Sequence, residues 1–342
     1  MNAPHRLRLD SAALVANWRA LAALSGTACG AAIKADGYGL GAIAVARRLA
    51  EAGCRDFFVA TWAEAEALAP LGLPVAVLHG VREEDMPRAR GGYAWPVLNT
   101  DGQVARWRGA GGGRCDVMVD TGMSRLGVTP AAVSNGTLDG LEVGTLMSHL
   151  ASADEDSPLN ARQLGTFAAL SGRHPAQRMS LANSAAIALG RDYAFDLTRP
   201  GLALYGGVSR PELADTLRQV VTPEAQILQR RRLQPGDVIG YNALFTAERP
   251  TEVAILNLGY ADGYWRGFSQ AGAASSGGAK LPVLGRVSMD LTAIQVDAAP
   301  DLAEGDWVAI DYALPEASAL SGMSQYELLT GLGRRYDRVW TA

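Results

Sequence analysis

Ala31-Ala32-Ile33-Lys34-Ala35-Asp36-Gly37-Tyr38-Gly39 is an apolar run that breaks into a glycine turn. The unit recurs along the first two thirds of the chain: a short apolar run, a polar or glycine break, then an alanine-rich helical stretch. The spacing predicts strands at Cys29–Lys34, Phe57–Thr61, Pro74–Gly80, Ala94–Thr100, Cys115–Gly122, Leu141–His149, Arg178–Ser184 and Asp196–Tyr205. Helical stretches fall between them at Ala42–Ala52, Ala63–Ala69, Asp101–Gly109, Ala161–Gly172 and Ala185–Gly190. Runs such as Val117-Met118-Val119 are apolar on successive residues, as expected where helices cover one face of a strand and a barrel interior the other. Eight βα units in about 215 residues predict an α/β fold of the (β/α)8 TIM-like barrel type. A doubly wound sheet is the alternative, and the count of eight weighs against it.

The grammar changes near Val220. Glu224–Leu233, Asp237–Tyr241, Thr251–Leu258, Val283–Leu284, Thr292–Val296 and Trp307–Ile310 are short, β-branched and punctuated by Pro-Gly, Glu-Gly and Gly-Gly turns. No helix of usable length is expected before Gln325–Gly333, and Ser269–Ala279 reads as a flexible loop by composition. The chain is therefore expected to divide into a barrel over residues 1–220 and a C-terminal, mostly β domain over 221–342.

Bulk properties exclude several classes. A hydrophobic content of 48% in 342 residues suits a well-cored globular protein of about two domains. A net charge of −4 gives no electrostatic reason to expect nucleic acid or an anionic membrane as partner. Cys29, Cys54 and Cys115 are odd in number and lack CxxC spacing, so neither a disulfide framework nor a metal site is expected. No apolar segment follows Arg6 and Arg8 as a leader would require, and none approaches the ~18 apolar residues of a membrane span. The expectation is a cytoplasmic, soluble protein.

Lysine is nearly absent. Lys+Arg totals 31, yet Lys34 and Lys280 are the only lysines. A lysine kept in such a chain can do what arginine cannot: lose a proton, attack a carbonyl and hold it as a Schiff base. Lys280, beside Gly277-Gly278, is the bland case. Lys34 ends the first predicted strand, and in a barrel the chemistry gathers at the C-terminal ends of the strands. Strand five runs into Asp120-Thr121-Gly122-Met123-Ser124-Arg125, strand six ends in Ser148-His149, strand seven in Asn183-Ser184, and strand eight carries Arg199-Pro200-Gly201. Each alone reads as an ordinary structural polar residue; five on one rim do not.

A Schiff-base lysine inside a barrel suggests pyridoxal 5'-phosphate, which needs a phosphate cradle and a partner for its pyridine nitrogen. Ser184 at a helix start and the amides after Gly201 suit the phosphate. Arg199 facing the nitrogen would leave it unprotonated, a weaker electron sink that favours simple proton exchange over deeper carbanion chemistry.

These residues resemble the alanine racemase family over nearly the whole chain. The carrying motifs are Ile33 to Gly39, Asp120 to Gly127, Ser148-His149, Asn183-Ser184 and Arg199-Pro200-Gly201, followed by Gly259-Tyr260-Ala261-Asp262-Gly263 and Gly285-Arg286-Val287-Ser288-Met289-Asp290. The resemblance implies a pyridoxal-phosphate-dependent isomerase that interconverts L- and D-alanine and supplies D-alanine for peptidoglycan. It implies a homodimer in which each active site joins one subunit's barrel to the other's β domain. Tyr38, His149, Asn183, Ser184, Arg199, Gly201, Leu202 and Tyr326 would bind the cofactor with Lys34, and Arg125 and the Met289 amide the substrate carboxylate.

Racemisation needs an acid/base on each face of a planar carbanion. Lys34 serves one face, and the resemblance assigns the other to the partner subunit's Tyr260. A free tyrosine has a pKa of ~10 and needs help as a base; the resemblance supplies it through His149, bonded in turn to Arg199. One departure stands out. Many family members carry a carbamylated lysine two residues before the aspartate of the Asp-Thr-Gly-Met motif, where this chain has Met118. Asp120, a bound anion such as chloride, or a freer Arg125 are the alternatives. Rival readings are a serine or broad-specificity racemase, a decarboxylase on a similar fold, and a non-catalytic pyridoxal-phosphate carrier; the carrier resembles the barrel alone.

Overall fold

The computed structural model describes residues 3–341 and divides into two compact units. One is Leu14–Arg218; the other comprises the segments up to Ala13 and from Gln219 onward.

In the first unit, Ala31–Ala32, Phe57–Val59, Val75–Val77, Trp95–Leu98, Arg114–Met118, Glu142–Met147 and Arg178–Ser180 form a parallel sheet in chain order. The eighth strand, Leu197–Thr198, pairs in parallel with Ala28–Cys29. It closes the cylinder on both sides: Gly30 N donates to Thr198 O (2.9 Å) and Ala32 N to Pro200 O (2.8 Å), while Arg199 N donates to Ala182 O (2.8 Å). The first strand breaks at Gly30, where a Cβ would stand 2.8 Å from the Asp56 carbonyl and 2.9 Å from the Phe58 ring. All eight predicted strands are present, shortened at their ends into the loops that carry the polar motifs.

The predicted helices follow in place at Ala42–Ala52, Trp62–Leu68, Asp101–Gly109, Pro158–Ala168 and Ser184–Ala188. Ala42, Val45, Ala46 and Leu49 are buried at the i, i+3, i+4, i+7 spacing of one helical face. Side-chain caps fix several junctions: Thr61 accepts from Glu64 N, Thr100 from Gln103 N, and Asn183 from Ala186 N. Each satisfies an otherwise orphan helix donor, so strand ends and helix starts are pinned where the rim begins.

In the second unit, Thr251–Leu256, Thr292–Gln295, Ala279–Leu284, Ala273–Ser276, Trp307–Ile310 and Val221–Leu233 pair in that order, and Val221–Leu233 pairs again with Thr251–Leu256 to close the ring. A bulge between Ile227 and Gln229 lets this one long strand serve two sheets. His5–Asp10 adds antiparallel to Val221–Leu233, and Asp337–Thr341 adds parallel to His5–Asp10.

Three elements differ from the sequence expectation. Ser269–Ala279 is not a flexible loop: Ala273–Ser276 and Ala279–Leu284 are hairpin strands joined by Gly277 and Gly278 at φ 56° and 85°. Two successive positive-φ residues are what a tight hairpin turn demands, so composition misread a turn as a loop. A helix, Leu314–Ser321, precedes Gln325–Thr330; Pro315 in its first turn and Gly322 at its left-handed end are the signals it carries. His5–Asp10 is a strand whose His5, Leu7 and Leu9 are buried in strict alternation. Among the described residues, no helix is long and apolar enough to cross a membrane.

Candidate active site

The first barrel strand ends in a left-handed turn. Ala35, Asp36, Gly37, Tyr38 and Gly39 all have positive φ, from 52° to 85°. A left-handed conformation costs a non-glycine residue about 1–2 kcal/mol, so the turn must be held from outside. It is held by Gly37 N to Ile33 O (2.8 Å), Gly41 N to Asp36 O (2.8 Å), Ala42 N to Asp36 Oδ1 (2.8 Å) and Ala35 N to Glu64 Oε1 (2.7 Å). Lys34 opens this turn, partly buried. Burial lowers the pKa of its amine, the charge of Arg125 lowers it further, and Glu64 acts in the opposite direction.

Strands seven and eight meet at Ser184. Its Oγ accepts from Gly201 N (2.9 Å) and Ala203 N (3.1 Å), leaving its hydroxyl proton to donate elsewhere. Asn183 caps the short helix behind it, and Leu202 opens the turn that follows Gly201, fully buried. The Tyr38 ring stacks on Tyr205 with centroids 4.7 Å apart, and the Tyr205 hydroxyl donates to Ala32 O (3.0 Å). The structure thus brings together Tyr38, Ser184, Gly201 and Leu202.

Arg199 is buried, and burial pushes its pKa down to about 10, still well above neutrality. Among the described residues no carboxylate lies at ion-pair distance from it. Its guanidinium donates to Ser180 Oγ and to Ser148 O (2.6 Å). These bonds go to neutral acceptors, and none goes to His149. The His149 imidazole is pushed down to about 3, by burial first and then by the charges of Arg199, Arg125 and Lys34. It is neutral throughout the physiological range.

Arg125 is exposed, with no hydrogen bond or ion pair among the described residues. Asp120 does not restrain it; Asp120 Oδ1 instead accepts from the amides of Gly122 (2.9 Å), Met123 (3.0 Å) and Ser124 (3.1 Å). That nest shapes the loop leading to Arg125, including the left-handed Ser124 at φ 56°. Met118 is buried in the barrel strand, paired with Met147.

In the second unit, Tyr260 and Met289 sit on two loops that bond to one another. Tyr260 N donates to Ser288 O and Ala261 N to Met289 O, both at 3.0 Å. Asp262, 1% exposed, closes the Tyr260 turn by accepting from Gly259 N (3.0 Å). Arg335 bridges the loops, donating to Asp262 Oδ1 (2.7 Å) and Asp290 Oδ1 (2.8 Å). Arg266 lies over the Tyr260 ring at 5.0 Å. Tyr326 is exposed in the first turn of Gln325–Thr330.

Sequence reasoning missed the residues that brace these groups. Gln163, fully buried, donates to His149 O (3.0 Å) and to Thr121 Oγ1 (3.3 Å). Thr121 also bonds to Ser148 Oγ at 2.8 Å. Glu64, Tyr205 and Arg335 act alike elsewhere. Glu64 alone carried a readable signal, the Thr61-x-x-Glu64 capping box; the others lie far in sequence from what they hold.

Two family profiles match the chain: one described as alanine racemase, N-terminal domain, over residues 9–209, and one as alanine racemase, C-terminal domain, over 220–340. An alanine racemase of Acidiphilium cryptum is 43% identical over 99% of both chains. A catabolic alanine racemase of Agrobacterium fabrum is 38% identical over 98% of this chain and 91% of its own. The crystal structure of an alanine racemase from Bartonella henselae, with covalently bound pyridoxal phosphate, superposes with a TM-score of 0.90 at 34% identity, covering 98% of this chain and 99% of that one. The biosynthetic enzyme of Pseudomonas aeruginosa superposes at 0.89, with 29% identity over all of both chains.

Proposed function

The chain belongs to the alanine racemase family, and from that premise we propose that it interconverts L- and D-alanine with pyridoxal phosphate attached at Lys34. The observation that carries this reading is the pairing, inside one barrel, of a desolvated lysine amine with a buried arginine that has no carboxylate at ion-pair distance among the described residues. A cation buried without a counter-ion calls for an acceptor, and the pyridine nitrogen is one. Ser184, with its free hydroxyl proton, and the neighbouring Gly201, Leu202 and Tyr38 suit a phosphate, and Asn183 and Tyr326 complete the cofactor set.

When bound, pyridoxal phosphate acidifies the substrate α-hydrogen by spreading the electron pair left behind over its ring. The protein's part is to bind, orient and move protons. Lowering the Lys34 pKa raises the fraction of neutral amine available to attack a carbonyl and, once released, to take or return a proton on one face. The partner subunit's Tyr260 serves the other face in a homodimer with shared sites. Arg199 stays protonated at neutral pH and would offer the cofactor's ring nitrogen a hydrogen bond without supplying it a proton. Neutral His149 supports the phenol without adding charge. Arg125 and the Met289 amide orient the substrate carboxylate. In the cell, D-alanine for peptidoglycan is the expected use, in the cytoplasm.

The test is a panel of L-amino acids assayed by chiral chromatography. Alanine should racemise and exchange its α-hydrogen in deuterated water; unimpaired turnover by a Lys34→Ala protein would sink the reading. The unrestrained Arg125 favours a second reading, a serine or broad-specificity racemase, which the same panel reads directly.

A further inference from the structure

We propose that Glu64 is the positioning residue of Lys34: one carboxylate clamps the left-handed turn that carries the amine onto the start of the helix after the neighbouring strand. The inference rests on the reading of Lys34 as the cofactor lysine. Glu64 Oε1 accepts from Ala35 N (2.7 Å), the amide directly after Lys34. Its other oxygen accepts from Ala60 N (2.7 Å) and Thr61 N (3.1 Å), at the end of the second barrel strand. Glu64 N in turn donates to Thr61 Oγ1 (3.3 Å). Three amides from two strand ends therefore converge on one side chain.

The clamp sits where the backbone has most reason to relax. Ala35 and Asp36 are left-handed without being glycine, and Ala35 is the first residue of that turn. The Ile33 carbonyl below receives Gly37 N, and the bond that Ala35 N makes goes to Glu64. Remove the carboxylate and the Ala35 amide turns to solvent, the turn gains right-handed alternatives, and the Lys34 side chain loses its fixed direction. A capping box needs only one oxygen for its reciprocal bond; here the second oxygen is turned to the lysine turn, which capping alone does not require.

Charge supplies an independent handle. Arg125 and the burial of the amine depress its basicity, and Glu64 opposes both. The other charged or titratable groups nearby are Asp36, whose carboxylate is engaged with Ala42 N, and His149, which is neutral. Replacing Glu64 by glutamine removes the charge and one acceptor at constant size. Replacing it by aspartate keeps the charge but shortens the reach by one methylene.

Lysine scarcity makes the experiment clean. In a Lys280→Arg parent, Lys34 is the only lysine among the 342 residues. Pyridoxal phosphate is titrated into parent, E64Q and E64D proteins, with circular dichroism as the folding control. The borohydride-trapped adduct at Lys34 is quantified by mass spectrometry against pH. The clamp predicts at least tenfold weaker binding in both variants. It also predicts that the pH midpoint for adduct formation falls by half a unit or more in E64Q but not in E64D. A purely structural glutamate would lower melting temperature without separating the two midpoints. Parental affinity and an unmoved midpoint in E64Q overturn the clamp; should E64Q not fold, parental affinity in E64D overturns it. A parent that forms no adduct at Lys34 overturns the functional reading itself, a separate and recognisable outcome.

Discussion

Gly201 and the hydroxyl end of Tyr38 occupy adjoining space: a Cβ on Gly201 would overlap the Tyr38 Oη and stand 2.9 Å from its Cζ. The ring cannot swing away freely, because it is buried and stacked on Tyr205. Gly201→Ala is therefore expected to displace Tyr38 from the side of the site proposed for the phosphate. Overpacking of this kind costs about 1–3 kcal/mol. Thermal melting should show that loss, and absorbance titration with pyridoxal phosphate should show binding weakened on the order of tenfold.

Lys34→Arg keeps a cation and removes the nucleophile, so no adduct should be trapped by borohydride. Turnover should fall on the order of 10³-fold or more, the scale of losing a nucleophile that is also an acid/base. Lys280→Arg, on the exposed hairpin strand, should racemise and label as the parent does. Mass spectrometry of the trapped peptide distinguishes the two; an adduct that persists in Lys34→Arg would refute the assignment.

Stability should fall in mild acid through His149. Its pKa is about 3 in the folded chain against an ordinary ~6.5. Between those values the unfolded chain binds the proton and the folded chain does not, so stability drops as pH falls below about 6.5. At pH 5 the contribution reaches up to about 2 kcal/mol, trimmed by the partial exposure of the ring. Denaturant unfolding of wild type and His149→Gln at pH 7.5 and 5.0 checks this: the variant should lose less on acidification.

Asp120→Ala removes the acceptor of three consecutive amides in the loop that leads to Arg125. The loop should loosen, and the backbone that presents Arg125 with it. Steady-state kinetics with alanine should show KM rising several-fold with a smaller change in kcat, the pattern of lost ground-state binding. Asp120→Asn retains the Oδ1 acceptor and should recover most of the parent's KM.

The barrel was legible because each of its strands is a local apolar run, and the strand ends carry their polar residues beside them in sequence. The C-terminal ring was legible only in pieces. His5–Asp10 lies more than 200 residues from its partner Val221–Leu233, and nothing local announces that pairing. Ser269–Ala279 misled because its composition suits both a loop and a hairpin turn; backbone φ decided it. Among site residues, Lys34, Ser184, Gly201 and Arg199 stood out by position on the rim. Their braces did not: Gln163 and Tyr205 are buried residues of common type, ordinary in sequence and recognisable only by their contacts.

Sequence by itself determined the eight-strand grammar and the change of architecture near residue 220, and it singled out Lys34 as the candidate amine, since periodicity and residue chemistry are local properties. Tertiary structure decided the electrostatics and the restraint. Burial beside Arg125 lowers the basicity of Lys34, and no carboxylate comes within ion-pair distance of buried Arg199 among the described residues, Asp116 acting on it only from farther off. A distant carboxylate, Glu64, holds the lysine turn, while Arg125 has no ion-pair partner among the described residues. Desolvation and hydrogen bonding depend on which groups folding brings within a few ångströms, and no spacing along the chain encodes that distance.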